Sequence, residues 1–180
     1  MTVQEIIYED EPSKINFHDH SIFLRPTEEK DIPDLLKLYS DPDVRQFILG
    51  NQVIDGVYES YIKECIYDGE NILHWRFIIS CNGTVLGEIC YCFWGNRFEA
   101  TACLFPQYRG NGIIQVAIHL LVRIFTERHG GELLYAVIDT NNVASLKAAK
   151  KYGADRVRTG IQQHSVKQLF VLNSPFSEVR

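Results

Sequence analysis

Pro106-Gln107-Tyr108-Arg109-Gly110-Asn111-Gly112-Ile113 is the stretch that decides how this 180-residue chain is read. Before it stands Arg97 to Phe105 (RFEATACLF), rich in strand formers. After it, Gly112 to Arg128 places Ile113, Val116, Ala117, Leu120, Leu121, Ile124 and Phe125 on one helical stripe, with Gly130-Gly131 as its stop. The segment therefore turns a strand into a helix. Its glycines let the backbone turn sharply, and the first turn of the helix has amide hydrogens with no partner of their own. A nest of such amides at the positive end of a helix dipole is an anion site, and Arg109 is expected to add a charged contact to phosphate. A tight turn with no ligand is the plainer alternative. A P-loop does not fit, because Gly112 is followed by Ile113-Ile114 and not Lys-Ser/Thr. A dinucleotide fingerprint does not fit either, since Gln115 stands where the third glycine belongs.

Outward from this turn, the upstream chain reads as a meander. Leu73 to Ser80 and Val85 to Trp94 are strand-like runs joined by Asn82-Gly83, a favoured two-residue hairpin turn, and Gly95-Asn96 leads into the strand from Arg97. Further upstream, Ser21 to Arg25 reads as a strand stopped by Pro26. Thr27 opens a helix with Ile32, Leu35, Leu36 and Tyr39 at helical spacing, which Ser40 to Asp43 (SDPD) ends. Ile54 to Tyr67 is a second helical stretch, and residues 1–20 form an extension of undecided structure. Downstream the pattern alternates: Leu133 to Ile138 is a strand, and Val143 to Tyr152 a helix capped by Asn142 and ended by Gly153. Val157 to Thr159 and Gln168 to Leu172 are closing strands. The expectation is one α+β domain over residues 1–180, with a mixed, mostly antiparallel sheet flanked by helices.

Composition narrows the partners. The chain is 46% hydrophobic with a net charge of −5, and no basic run exceeds Lys150-Lys151, so nucleic acid is not an expected partner. No apolar run reaches the ~20 residues of a membrane span, and the acidic N-terminus lacks a signal-peptide pattern, so a cytoplasmic location is expected. Cys65, Cys81, Cys90, Cys92 and Cys103 are odd in number and follow no zinc spacing; they read as small buried hydrophobes. His18-Asp19-His20 is too poor in ligands for a metal site, and no metal is expected.

Gln107-x-x-Gly110-x-Gly112 resembles the Gln/Arg-x-x-Gly-x-Gly/Ala signature of the GCN5-related N-acetyltransferases. Leu24-Arg25-Pro26 with Asp31 and Asp41-Pro42, then Gly87-Glu88-Ile89, then Asp139 to Ala154 resemble in order the ribosomal-protein N-terminal acetyltransferase branch. The resemblance spans about Ile22 to Val171 and implies acetyl-CoA as acyl donor and a primary amine as acceptor, in a monomer or homodimer.

It also implies roles. Gln107, Arg109, Gly110, Asn111, Gly112 and Ile113 would hold the pyrophosphate, the strand backbone at Cys103, Leu104 and Phe105 the pantetheine arm, and Asn142 and Ser145 would flank it. An alkyl amine titrates near 10.4, and a carboxylate, often through water, can take its proton before attack: Glu99 is the first candidate and Glu88 the second, with less need of a strong base if the acceptor is a protein α-amine. Many relatives protonate the leaving thiolate with a tyrosine seven residues after the capping asparagine, where this chain has Ala149; Ser145 is the substitute donor, and Tyr152 is expected to pack. The missing tyrosine keeps a non-catalytic acyl-CoA-binding or interaction module as the alternative. The loop from Ser40 to Ile54 and the segment from Gly160 to Lys167 are expected to shape the acceptor pocket.

Overall fold

A computed structural model of the chain describes residues 14–17, 20–49, 59–60, 62–64, 74–162 and 165–173. Eight strands form one sheet: β1 (Lys14–Phe17), β2 (His20–Pro26), β3 (His74–Cys81), β4 (Thr84–Trp94), β5 (Arg97–Leu104), β6 (Leu134–Asp139), β7 (Asp155–Gln162) and β8 (Ser165–Val171). Their order across the sheet is β1-β2-β3-β4-β5-β6-β8-β7. All neighbours run antiparallel except β5 and β6. Among the described residues three helices of eight or more residues cover the sheet: α1 (Ile32–Tyr39), α2 (Ile113–His129) and α3 (Val143–Tyr152).

The meander forms for the reasons its turns suggest. Asn82 and Gly83 both take positive φ (48° and 79°), the mirror-image turn whose twist matches paired strands. The register between β3 and β4 slips at Ile79/Ser80, so Gly87 and Val85 oppose consecutive residues and Leu86 is the extra one. Gly87 then lies opposite Leu104 of β5, where a Cβ would overlap the Cys103 carbonyl and the Leu104 backbone. Only glycine fits that approach.

Side chains alternate between two faces of the sheet. One face meets α2: Phe77, Tyr91, Ile89, Leu104 and Leu134 pack with Ala117, Leu120, Leu121 and Phe125. The other meets α1: Ile78 and Cys103 pack with Ile32, Leu35, Leu38, Tyr39 and Val44. Burial pushes the Cys103 thiol far above its ordinary pKa, which makes it an inert packing group. Cys65 lies outside the described residues.

Several expectations need adjustment. Thr27 does not open α1; Glu28 caps a 3₁₀ turn (Glu29–Asp31), with Asp31 accepting from the Glu28 amide, and α1 follows. The bidentate Arg25–Asp31 bridge, 2.6 Å at each bond, makes that cap preferable to a Thr hydroxyl. The helix expected over Ile54 to Tyr67 lies mostly outside the described residues; 59–60 and 62–64 are helical. The closing strands are longer than their hydrophobic cores suggested, because hairpin pairing extends from Asp155↔Val171 to Gln162↔Ser165. The described parts of Gly160 to Lys167 are therefore the paired ends of two strands and not loop.

Candidate functional site

The parallel pair β5 and β6 is joined only at Phe98↔Leu134 and Glu99↔Tyr135. Beyond Glu99 the two strands part, although each continues, to Leu104 and to Asp139. The sheet thus opens as a V with its vertex at Glu99. Because β5 and β6 are parallel, the helices that follow them, α2 and α3, both begin at the mouth of this V. Ligands of open sheets bind at such carboxyl ends.

Strand alternation sets which backbone groups face the opening. The Phe105 amide donates to the Leu86 carbonyl at 3.0 Å, so Phe105 and, by period two, Cys103 and Thr101 turn their backbones toward β4. Ala102 and Leu104 turn theirs toward the V. Cys103 and Phe105, expected to line the donor site through their backbones, are therefore committed elsewhere. Of the three consecutive residues anticipated, Leu104 faces the opening, and Ala102 joins it unforeseen. The alternation was available in the sequence; the phase was not, because it depends on one interstrand bond.

At the mouth, Gly110 and Gly112 both adopt positive φ (82° and 80°). The amides of Gly110, Asn111, Gly112, Ile113 and Ile114 have no acceptor among the described residues, whereas Gln115 and Val116 donate to the Gly112 carbonyl. This is a preformed nest at the N-terminus of a helix of 17 residues. A Cβ at Gly110 would meet nothing within 4 Å, so the space beside that residue is open. Gln107 is exposed on the 3₁₀ turn Pro106–Tyr108.

Arg109 departs from its expected role. Its amide donates to Pro106 within the turn at 3.2 Å. Its guanidinium points to Asp43 (3.0 Å), Asp41 (3.2 Å) and the Leu104 carbonyl (3.0 Å). Burial acts to raise the Asp41 pKa, but bonds from Arg109 and from the amides of Val44 and Asp43 outweigh it and hold the carboxyl below its ordinary value. Contact with phosphate would require Arg109 to leave two acids.

On the opposite side of the V, the Asn142 side chain caps α3 by accepting from the Ser145 amide at 3.1 Å. The Ser145 hydroxyl has no partner among the described residues and is half-buried. Ala149 is buried, and the Tyr152 ring packs at 4.7 Å from His119, with its phenol pushed up to about 12 by burial. Tyr152 is thus a packing residue, as expected from its spacing.

The two candidate bases differ sharply. Glu99 is partly buried at the vertex, and both Arg97 bonds (2.6 and 2.8 Å) go to Oε1; Oε2 has no partner among the described residues. Glu88 is 1% exposed and has both oxygens engaged, by Arg76 Nε (2.8 Å), Arg76 Nη2 (2.7 Å) and the Tyr39 hydroxyl. With both oxygens so occupied, Glu88 is less open to an incoming proton than Glu99. Sequence reasoning lacked its partner, because Arg76 lies on a different strand and reveals itself only through the β3–β4 register. Among the described residues no group of three or more His, Cys, Asp or Glu is placed to hold a metal. His18 and Asp19 lie outside them.

The family model described as "Acetyltransferase (GNAT) domain" matches residues 21–155, most of the chain and the whole of the V. The chain belongs to the GNAT acetyltransferase family. No curated protein matches the sequence. Solved structures share its fold. The Salmonella typhimurium acetyltransferase that modifies the N-terminal serine of ribosomal protein L7/L12 superposes with a TM-score of 0.72 at 14% identity, over 83% of this chain and 93% of that one. AAC(6')-Ib in complex with paromomycin and acetyl-CoA gives 0.75 at 14%, over 88% and 97%. A spermidine N-acetyltransferase chimera from Vibrio cholerae gives 0.72 at 12%, over 88% and 99%.

Proposed function

We propose that this GNAT protein is an acetyl-CoA-dependent N-acetyltransferase that delivers the acetyl group to a primary amine by direct attack, with both substrates bound together. The observation that carries the reading is the V: an unpaired strand edge runs from a carboxylate at its vertex to an amide nest at its mouth. The nest suits a pyrophosphate, and the edge groups of Ala102 with the Leu104 amide suit the amides of a pantetheine arm, the Leu104 carbonyl being held by Arg109. Acetyl-CoA supplies the reactive thioester. The protein's contribution is alignment and proton movement. Holding amine and thioester in line can contribute ~7–11 kcal/mol by removing the entropy of encounter.

Glu99 is the base in this scheme. Its free Oε2 accepts the ammonium proton, directly or through one water, while Arg97 fixes the carboxylate through Oε1. Ser145, at the other wall, offers its hydroxyl to the departing sulfur. Neighbours of the same fold acetylate a ribosomal protein N-terminus, an aminoglycoside-type acceptor and spermidine, which supports an amine and leaves its class to a screen. A protein N-terminus or a small amine is the first choice.

The test is calorimetric titration of acetyl-CoA into the natural protein and into Gly110→Trp, which adds an indole beside the nest and disfavours the positive φ that the nest requires. Micromolar binding by the natural protein, weakened at least ~100-fold in the variant, is the expected result. A folded natural protein that ignores acetyl-CoA would point to an interaction domain. Binding without thiol release across a panel of amines would point to a non-catalytic acyl-CoA module.

A further inference from the structure

We propose that Arg109 is a positioning residue that ties the amide nest to the Ser40–Leu49 segment, so that occupation of the nest by coenzyme A fixes the acceptor side of the cleft. The inference rests on the reading of the nest as the coenzyme A site. It begins from the direction of the Arg109 side chain, which leaves the nest and reaches Asp41 and Asp43.

Asp41 is the organising residue of the segment it reaches. Its Oδ1 accepts the amides of Asp43 (2.9 Å) and Val44 (3.2 Å) and so starts the helical turn Pro42–Val44. The same oxygen receives Arg109 Nη2. Through Nε, the guanidinium also holds the Leu104 carbonyl, the last residue of β5. One planar group thereby joins the end of the open strand edge to the start of the 42–44 turn, from a residue whose backbone adjoins the nest.

A second anchor lies two residues upstream and has a different character. Tyr39 donates to Glu88, which is paired with Arg76; their side chains sit on the buried α1 face, with Arg76 6% and Glu88 1% exposed. Arg45 Nε closes back on the Tyr39 carbonyl at 3.2 Å. That anchor is desolvated and holds whatever occupies the nest. The Arg109 anchor is 34% exposed and its partners Asp41 and Asp43 17% and 76%, more than the Arg76–Glu88 pair, so solvent competes for it and it yields more readily. A segment fixed at Tyr39 and adjustably tied at Asp41 and Asp43 can respond to the backbone of Arg109, which moves with the nest. The coupling needs no contact between Arg109 and phosphate.

Amide hydrogen exchange over residues 40–49, with and without saturating coenzyme A, reads this tie without knowledge of the acceptor. In the natural protein coenzyme A should slow exchange there by about fivefold or more. In an Asp41→Asn/Asp43→Asn double variant, which keeps an asparagine at the cap but removes both charges, coenzyme A should bind within about threefold of normal. The slowing at 40–49 should then fall below about twofold, and Arg109→Lys should retain an intermediate part of it. Equal slowing in the double variant, or none in a natural protein that binds coenzyme A, would overturn the tie while leaving the donor site intact. Failure of the natural protein to bind coenzyme A at all overturns the donor-site reading and this inference with it.

Discussion

The two faces of the sheet use the same strands for opposite purposes. Toward α2 the interior is aromatic and apolar: Trp75 stacks on Tyr91 at 4.7 Å, and Tyr91 meets Phe125 edge-on at 5.2 Å. Toward α1 the strands carry Arg76, Glu88, Arg97 and Glu99 among Cys103, Ile78 and the α1 leucines. Residues one apart along β4 and β5 therefore belong to different chemistries. The difference teaches that the ions on the α1 face are of two kinds. The Arg76–Glu88 pair is internal and complete, whereas Glu99 keeps an oxygen free at the vertex of the V.

Truncations should show the largest effect and the sharpest contrast. Phe125→Ala removes a fully buried ring and should cost ~3–5 kcal/mol in urea unfolding. Glu88→Ala should cost a similar ~3–5 kcal/mol, because it strands the buried Arg76 charge. The two then separate on repair: Arg76→Met combined with Glu88→Leu should recover most of the lost stability, since well-packed apolar groups often replace a buried pair at no net cost. A double variant as unstable as Glu88→Ala would show that the pair holds the α1 face by more than charge balance.

Next in size is the effect of Glu99→Gln, which should lower kcat by ~10²–10⁴-fold while leaving acetyl-CoA affinity and the urea midpoint nearly unchanged. If Glu88→Gln, in protein that remains folded, proves the more damaging to turnover, the division between the two carboxylates is reversed.

The smallest effect belongs to the α2 face and to pH. His129 packs among Phe98, Phe125 and Trp75 and meets the Tyr91 hydroxyl at 3.2 Å. Burial first, then the Arg128 charge, holds its pKa below 6.5; burial and Arg76 do the same for His74. The unfolded chain then binds more protons than the folded one at and just below pH 6.5. Stability should decline as pH falls through that value and level off once the folded-state pKa values are passed. His129→Gln should flatten the decline by up to about 1 kcal/mol between pH 7.5 and 5.5 in urea titrations, and an unchanged slope would place the titration elsewhere.

Much of this fold was legible in the chain because its signals are local. Asn82-Gly83 specified a hairpin, Asn142 a cap, Gly153 a helix end, and the 106–113 stretch a strand-to-helix turn, each from the dihedral needs or hydrogen-bond needs of a few adjacent residues. The same local logic located the nest glycines, while the family resemblance brought Glu99 forward as the proposed base. What the sequence left undecided depended on partners far along the chain. The phase of β5, which sends Ala102 and Leu104 but not Cys103 and Phe105 to the opening, follows from a bond between Phe105 and Leu86. The pairing of Glu88 with Arg76 follows from the β3–β4 register, and the diversion of Arg109 follows from Asp43, 66 positions away in sequence, and from Asp41. Local propensity fixes the tight turns and several helix ends, whereas strand pairing set the lengths of β7 and β8. Tertiary structure alone decides which charges meet, because an ion's role depends on what it faces once water is excluded.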